Sequence, residues 1–176
     1  MKKIKQKLVA VISVLVLAIS LTGCMKEFEP IVLTGTGELD TSAVMVRIVY
    51  NPSVAAEHPQ TIQFLNSNIN KIRREIMKPA RIVFKLPNVT ESFYNDVPLP
   101  VIGTFTQDNA YFTMKNPLFP SGIVGASDNL RMELYYDREY LMYILNNLLT
   151  ADDDPLSVFD RLISDYHGVG LYKKIN

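Results

Sequence analysis

Lys2, Lys3, Lys5 and Lys7 precede a run of 14 residues, Leu8 to Leu21, that carries no charge, and no acidic residue occurs before Glu27. This split constrains everything that follows, because a basic stretch leading into a short apolar run is the grammar of a secretory signal, which is removed after export. As a helix the run would be ~21 Å long, short of a ~30 Å hydrocarbon core, so it does not read as a permanent span. What folds is therefore the remainder. With residues 1–23 set aside, 14 Lys and Arg face 18 Asp and Glu, a balance of about −4. A mildly acidic body has no attraction for phosphate backbones, which argues against a nucleic-acid partner. An apolar fraction of 48% and a charged fraction of 20% suit one globular domain with a real core.

The apolar run ends in Leu21-Thr22-Gly23-Cys24. In that position the tetrapeptide resembles the lipobox of bacterial lipoproteins. The resemblance covers residues 1–24 only. It implies that residues 1–23 are a cleaved signal peptide, that the Cys24 thiol carries a diacylglyceryl group, and that the new amino terminus is acylated as well. Cys24 is the only cysteine in the chain, so the body has no internal disulfide and an exported thiol is left to be consumed by lipid. One acyl chain binds a membrane marginally and two or three bind it stably, so the expected partner is membrane lipid through acylated Cys24. Met25, rather than Asp, follows the cysteine. In lipoproteins of Gram-negative bacteria an Asp there favours retention in the inner membrane, so the resemblance implies the outer membrane if the source is Gram-negative, with surface exposure as an option.

Behind the anchor, residues 24–42 read as a tether, with Ile31-Val32-Leu33 able to pair as an edge strand. Residues 43–176 read as a single α+β domain, a mixed or antiparallel sheet covered by about three helices. The alternative is a calycin-like β-barrel with added helices. The β-branched run Ala43–Tyr50 predicts a strand. Ile62, Leu65, Ile69, Ile72 and Ile76 recur at spacings of three and four, which predicts an amphipathic helix over 59–78, stopped by Pro79. A strand over 81–86 completes a β-α-β unit whose strands are free to be parallel. Residues 101–106 and 111–115 predict a hairpin around Gln107-Asp108-Asn109-Ala110. Leu130–Tyr136 predicts a strand. Asp137 is placed to cap a helix with Leu141, Ile144, Leu145 and Leu148 on one face. A last helix is expected to start at Asp154-Pro155, carry Phe159, Leu162, Ile163 and Tyr166, and end at His167-Gly168. Val169–Ile175 then returns as a strand. The glycine-containing stretch Ser121–Ser127 reads as a surface loop.

Chemistry-bearing clusters are few. Asp152, Asp153 and Asp154 are adjacent carboxylates, the ligand type that Ca²⁺ takes. An EF-hand loop needs Gly at its sixth position and Glu at its twelfth, where this chain has Ser157 and Ile163, so no metal is assigned. A helix N-cap at Asp154, with Pro155 as first helical residue, accounts for them. His58 and His167 lie in no metal-ligating spacing. Ser164, Asp165 and His167 are formally the three residue types of a nucleophilic triad. On one helix they would not point at a common centre, so no catalytic residue is assigned. No cofactor is expected either, because the chain has no phosphate-binding glycine loop. The tyrosines Tyr135, Tyr136, Tyr140 and Tyr143, with Phe93-Tyr94 and Tyr111-Phe112, read as half-buried core. Their alternative is a surface that recognises a glycan or an envelope protein, and the lack of Trp weakens the glycan version. The functional expectation is a lipid-anchored, non-catalytic binding or scaffolding module of the cell envelope. Its alternatives are an envelope hydrolase using carboxylates and a small-ligand carrier.

Overall fold

The computed structural model describes residues 31–95 and 97–175. The expected signal peptide and Cys24 lie outside the described residues. Nine strands and four α-helices follow in chain order: β1 (Gly35–Leu39), β2 (Met45–Tyr50), α1 (Pro52–Glu57), α2 (Pro59–Met77), β3 (Pro79–Lys85), β4 (Val89–Tyr94), β5 (Val101–Asp108), β6 (Tyr111–Asn116), β7 (Phe119–Ser127), β8 (Arg131–Tyr136), α3 (Arg138–Leu148), α4 (Leu156–Leu162) and β9 (Ile163–Ile175). Every ladder is antiparallel. β3 to β9 pair in succession, and β1 pairs with both β3 and β9, which closes an eight-stranded up-and-down barrel. β2 stands outside the ring, paired only with β9. This is the barrel architecture held as the alternative to helices covering an open sheet.

Two ladders explain how the ring closes. β9 is 13 residues long, and one of its edges carries β2 along Ile163–Val169 and β1 along Tyr172–Ile175. A short 3-10 turn at Thr41–Ala43, capped by Asp40, separates the two partners. It lets the chain leave the ring after β1 while keeping the same neighbour. Consequently β2 and β3, expected as the two strands of a β-α-β unit, are not neighbours, and no parallel pair forms. α2 returns the chain from the flap made by β2 and early β9 to the start of β3.

The barrel interior follows the period of two. Phe112 and Met114 of β6, Met132, Leu134 and Tyr136 of β8, and Ile82 and Phe84 of β3 all point inward and are buried. Phe84 meets Phe105 and Phe112 edge to face at 5.1 and 5.3 Å. Each such ring contributes on the order of 1.5–3 kcal/mol of burial. Glycine makes room for them: an added Cβ at Gly125 would overlap the Phe112 ring and the Glu133 carbonyl. The stretch 121–127, expected as a loop, is part of strand β7, paired with β6 on one side and, from Val124, with β8 on the other.

The helices pack at one end of the barrel, against β2 and β9. α2 and α3 form where the apolar spacing places them, and Asp137 caps α3 by accepting from the Tyr140 N–H at 3.0 Å. The last helix departs from expectation. α4 stops at Leu162, and Ile163 opens β9, so His167 and Gly168 lie in a strand and not at a helix end. Phe159, Leu162, Ile163 and Tyr166 fit helical spacing, but from Tyr166 onward the buried positions are Tyr166, Gly168, Gly170 and Tyr172, a period of two. Among the described residues no helix is long and apolar enough to cross a membrane.

Candidate binding surface

The barrel wall opens beside α3. β7 pairs with β8 only from Val124 onward, whereas its first residues pair with β6 alone. The gap left between the β6–β7 turn and the start of α3 is a crevice of about 230 Å³. Its floor is aromatic. Phe119 lies 4.9 Å from Tyr140 and 6.2 Å from Tyr143, and Tyr140 lies 4.6 Å from Tyr136. Asn116 builds the turn above it, its side-chain oxygen accepting from the N–H groups of Leu118 and Phe119 at 2.9 and 3.1 Å. Asp137 and Glu139 are its carboxylates, and Asp137 is already engaged as the helix cap.

A second hollow, also about 230 Å³, adjoins the crevice and shares Gly122, Tyr135, Tyr136 and Asp137 with it. Tyr166, His167 and Val169 line its far side. Beyond it the outer wall carries a row set by register alone. Thr113 pairs with Val124, Val124 with Tyr135, Tyr135 with Val169, and Val169 with Met45. These five residues face outward across five strands, and Val124, Tyr135 and Met45 are exposed. Tyr111, on the same face two residues from Thr113, is exposed as well.

Seven of the nine tyrosines fall into two sets. Tyr136, Tyr140, Tyr166 and Tyr172 are buried at the helix-covered end, and burial is the main reason that all four phenols are held far above their usual range. Tyr172 donates to the Pro79 carbonyl at 2.7 Å and Tyr140 to the Glu75 carbonyl at 3.3 Å. The Tyr166 hydroxyl is buried with no hydrogen-bond partner among the described residues. Tyr111, Tyr135 and Tyr143 are exposed. The Tyr135 phenol is pushed up to about 12, first because it donates to the Glu133 carboxylate at 2.6 Å and then by desolvation. The Tyr135 phenol is thus a neutral donor, not a base. Of the tyrosines expected as half-buried core, Tyr94, Tyr136 and Tyr140 are buried, whereas Tyr111, Tyr135 and Tyr143 are exposed.

The remaining sequence candidates are dispersed. Asp153 accepts from the N–H and hydroxyl of Thr150, both at 2.8 Å, and Asp154 accepts from the Thr61 hydroxyl of α2. Pro155, not Asp154, occupies the N-cap of α4, so the expected cap is corrected: the carboxylate ties two distant segments together instead. Among the described residues no three His, Cys, Asp or Glu side chains gather in a way that would hold a metal ion. His58 links α1 to α2 and makes no side-chain cap. His167 pairs with Asp165 at 2.8 Å, both exposed, while the Ser164 hydroxyl donates to the Val49 carbonyl at 3.1 Å and not to the imidazole. The row from Thr113 to Met45 was not visible in the sequence, because its members are contributed by five strands. The signal available was the outward phase of each strand taken singly.

Comparison with known protein families, with characterised proteins and with solved structures returns no match.

Proposed function

We propose that this chain is a lipid-anchored cell-envelope protein whose calycin-like barrel serves as a non-catalytic binding module. The observation that carries the binding reading is the outward row Thr113–Val124–Tyr135–Val169–Met45, with Tyr111 beside it. A contiguous apolar and aromatic strip on an outer wall does nothing for the core and is the composition that protein partners use. Tyrosine adds a rigid contact area with a polar tip. The anchor reading rests on Lys2–Lys7, the apolar run and Leu21-Thr22-Gly23-Cys24.

The carrier alternative finds little support, since Phe84, Phe105, Phe112, Met132 and Tyr136 fill the barrel axis. The hydrolase alternative needs two free carboxylates facing each other, and Asp137 in the crevice is committed to the α3 cap. A photo-crosslinking residue placed at Tyr135 or Tyr111 in the cell-bound protein tests the reading. The expected result is a discrete adduct that Val124→Lys abolishes and that the same probe at Arg81, on β3, does not give. Equal labelling at all three positions, or none, defeats the binding reading.

A further inference from the structure

The chain enters the barrel at the end opposite the helices. The Gln107 side chain, at the close of β5, accepts from the Leu33 N–H at 2.8 Å and donates to the Ile31 carbonyl. Leu33 itself is 1% exposed. Gly35 then lies opposite Phe84, and Thr36 opposite Ile175. The turn after β3, the turn before β8 and the end of β9 therefore gather where the described chain begins. The Lys174 N–H donates to the Leu130 carbonyl at 3.0 Å, which joins the last two of these.

This end carries apolar side chains that nothing in the barrel covers. Leu130 is 74% exposed and Leu86 65%, and Val32 and Ile175 are exposed beside them. The turns do not require leucine. Asp128 holds the turn before β8, its carboxylate accepting from the N–H groups of Leu130 and Arg131 at 2.7 and 2.6 Å, so a polar side chain at 130 would keep the same backbone. The surrounding cations have anionic neighbours: Lys85 pairs with Glu91 at 2.5 Å, and the Asp128 carboxyl, held below its usual range first by the N–H groups of Leu130 and Arg131, also feels the charges of Arg131 and Lys174. Apolar contact, not attraction to anionic headgroups, is what this surface offers.

Covalent geometry supplies the occupant. Six residues lie between Cys24 and Ile31, and the seven steps of chain that they make, even fully extended, reach no more than about 25 Å. A lipid on Cys24 would hold the end of the barrel where the described chain begins within about 25 Å of the headgroups, nearer its attachment than the helix-covered end. We propose that the turn end rests on the lipid surface, with Leu130 and Leu86 dipping into the interfacial layer, so that the helix-covered end points away from the membrane. This rests on the acylated-Cys24 reading.

The chain has no Trp, so a single introduced Trp reports its own surroundings. The full-length protein, processed in cells and purified with its lipid, is placed in phosphatidylcholine vesicles whose acyl chains are brominated. Leu130→Trp, and independently Leu86→Trp, is expected to emit at shorter wavelength than in plain buffer and to lose most of its intensity to the bromines. Tyr143→Trp on α3 is expected to lose none. Unquenched emission at both turn positions, or equal quenching at 143, overturns the orientation in a protein whose intact mass shows the acyl groups. A mass without them removes the anchor reading itself, and the orientation with it.

Discussion

At the helix-covered end of the barrel, Ile76, Tyr140, Tyr166 and Tyr172 are buried, and two of the three phenols donate to backbone carbonyls, Tyr140 to Glu75 in the last turn of α2 and Tyr172 to Pro79 at the start of β3. At the turn end, Leu86 and Leu130 stand in the open on turns that would close without them. One end hides polar groups among apolar ones, at a desolvation cost, and the other shows apolar groups with no intramolecular return. The difference teaches where to look for stability and where for interaction. Large apolar side chains that the fold does not use are the ones left for something else: in the proposals above, a lipid surface at the turn end and a protein partner at the strip around Tyr135.

The contrast breaks most visibly if a similar truncation costs the same at both ends. Ile76→Ala is expected to lose about 2–5 kcal/mol in chemical denaturation, as a buried aliphatic truncation does. Leu130→Ala should stay within about 0.5 kcal/mol. Next in size is the packing of the barrel axis. Gly125→Val drives a branched side chain into Phe112, and a loss of about 1–3 kcal/mol is expected, with the melting temperature falling accordingly. Smaller again is a pair of hydroxyl deletions within the sealed end. Tyr172→Phe strands the Pro79 carbonyl and should cost about 1 kcal/mol, whereas Tyr166→Phe removes an unpartnered hydroxyl and should be neutral or slightly stabilising.

The smallest effect lies at the 3-10 turn that divides the partners of β9. The Asp40 carboxyl is held at about 2, first by the Lys173 ammonium at 2.8 Å and then by the Ser42 hydroxyl at 2.6 Å. Because the folded value lies below the ordinary carboxylate value, its contribution is present above about pH 4 and fades as the pH falls through about 2. Asp40→Asn should therefore lower the denaturation midpoint slightly at pH 6 and leave it unchanged near pH 2. A deficit that persists at the acid end would assign the effect to packing and not to charge.

Local features were legible and long-range ones were not. The helix over 59–78, the cap at Asp137 and the hairpin around Asn109 each follow from contiguous residues, and the structure places them within a residue or two of expectation. Closure of the barrel depends on β1 pairing with β9 across more than 130 residues, and no local pattern encodes that. The misreading of 163–168 has a specific cause: Ile163 and Tyr166 are three apart, which is helical spacing and out of phase for a regular strand. A register shift in the β2–β9 ladder between the Val49 and Tyr50 pairs lets both be buried, so only the alternation through Tyr166, Gly168, Gly170 and Tyr172 marks the strand. Gly168 looked like a helix terminator, but it is small because the Tyr166 hydroxyl and Ile76 occupy the space a Cβ would need. Asp154 looked like a cap because a cap is local, whereas its partner Thr61 is 93 residues away. The binding strip was hidden for the same reason, being assembled one residue per strand.

Lipid at Cys24 carries both the proposed envelope location and the proposed orientation of the two ends. The intact mass of the protein extracted from membranes is the most direct test. A polypeptide beginning at Cys24, heavier by a diacylglyceryl group and an amide-linked acyl chain, is the expected result. A chain that still carries residues 1–23, or one that shows a free thiol at Cys24, would contradict it.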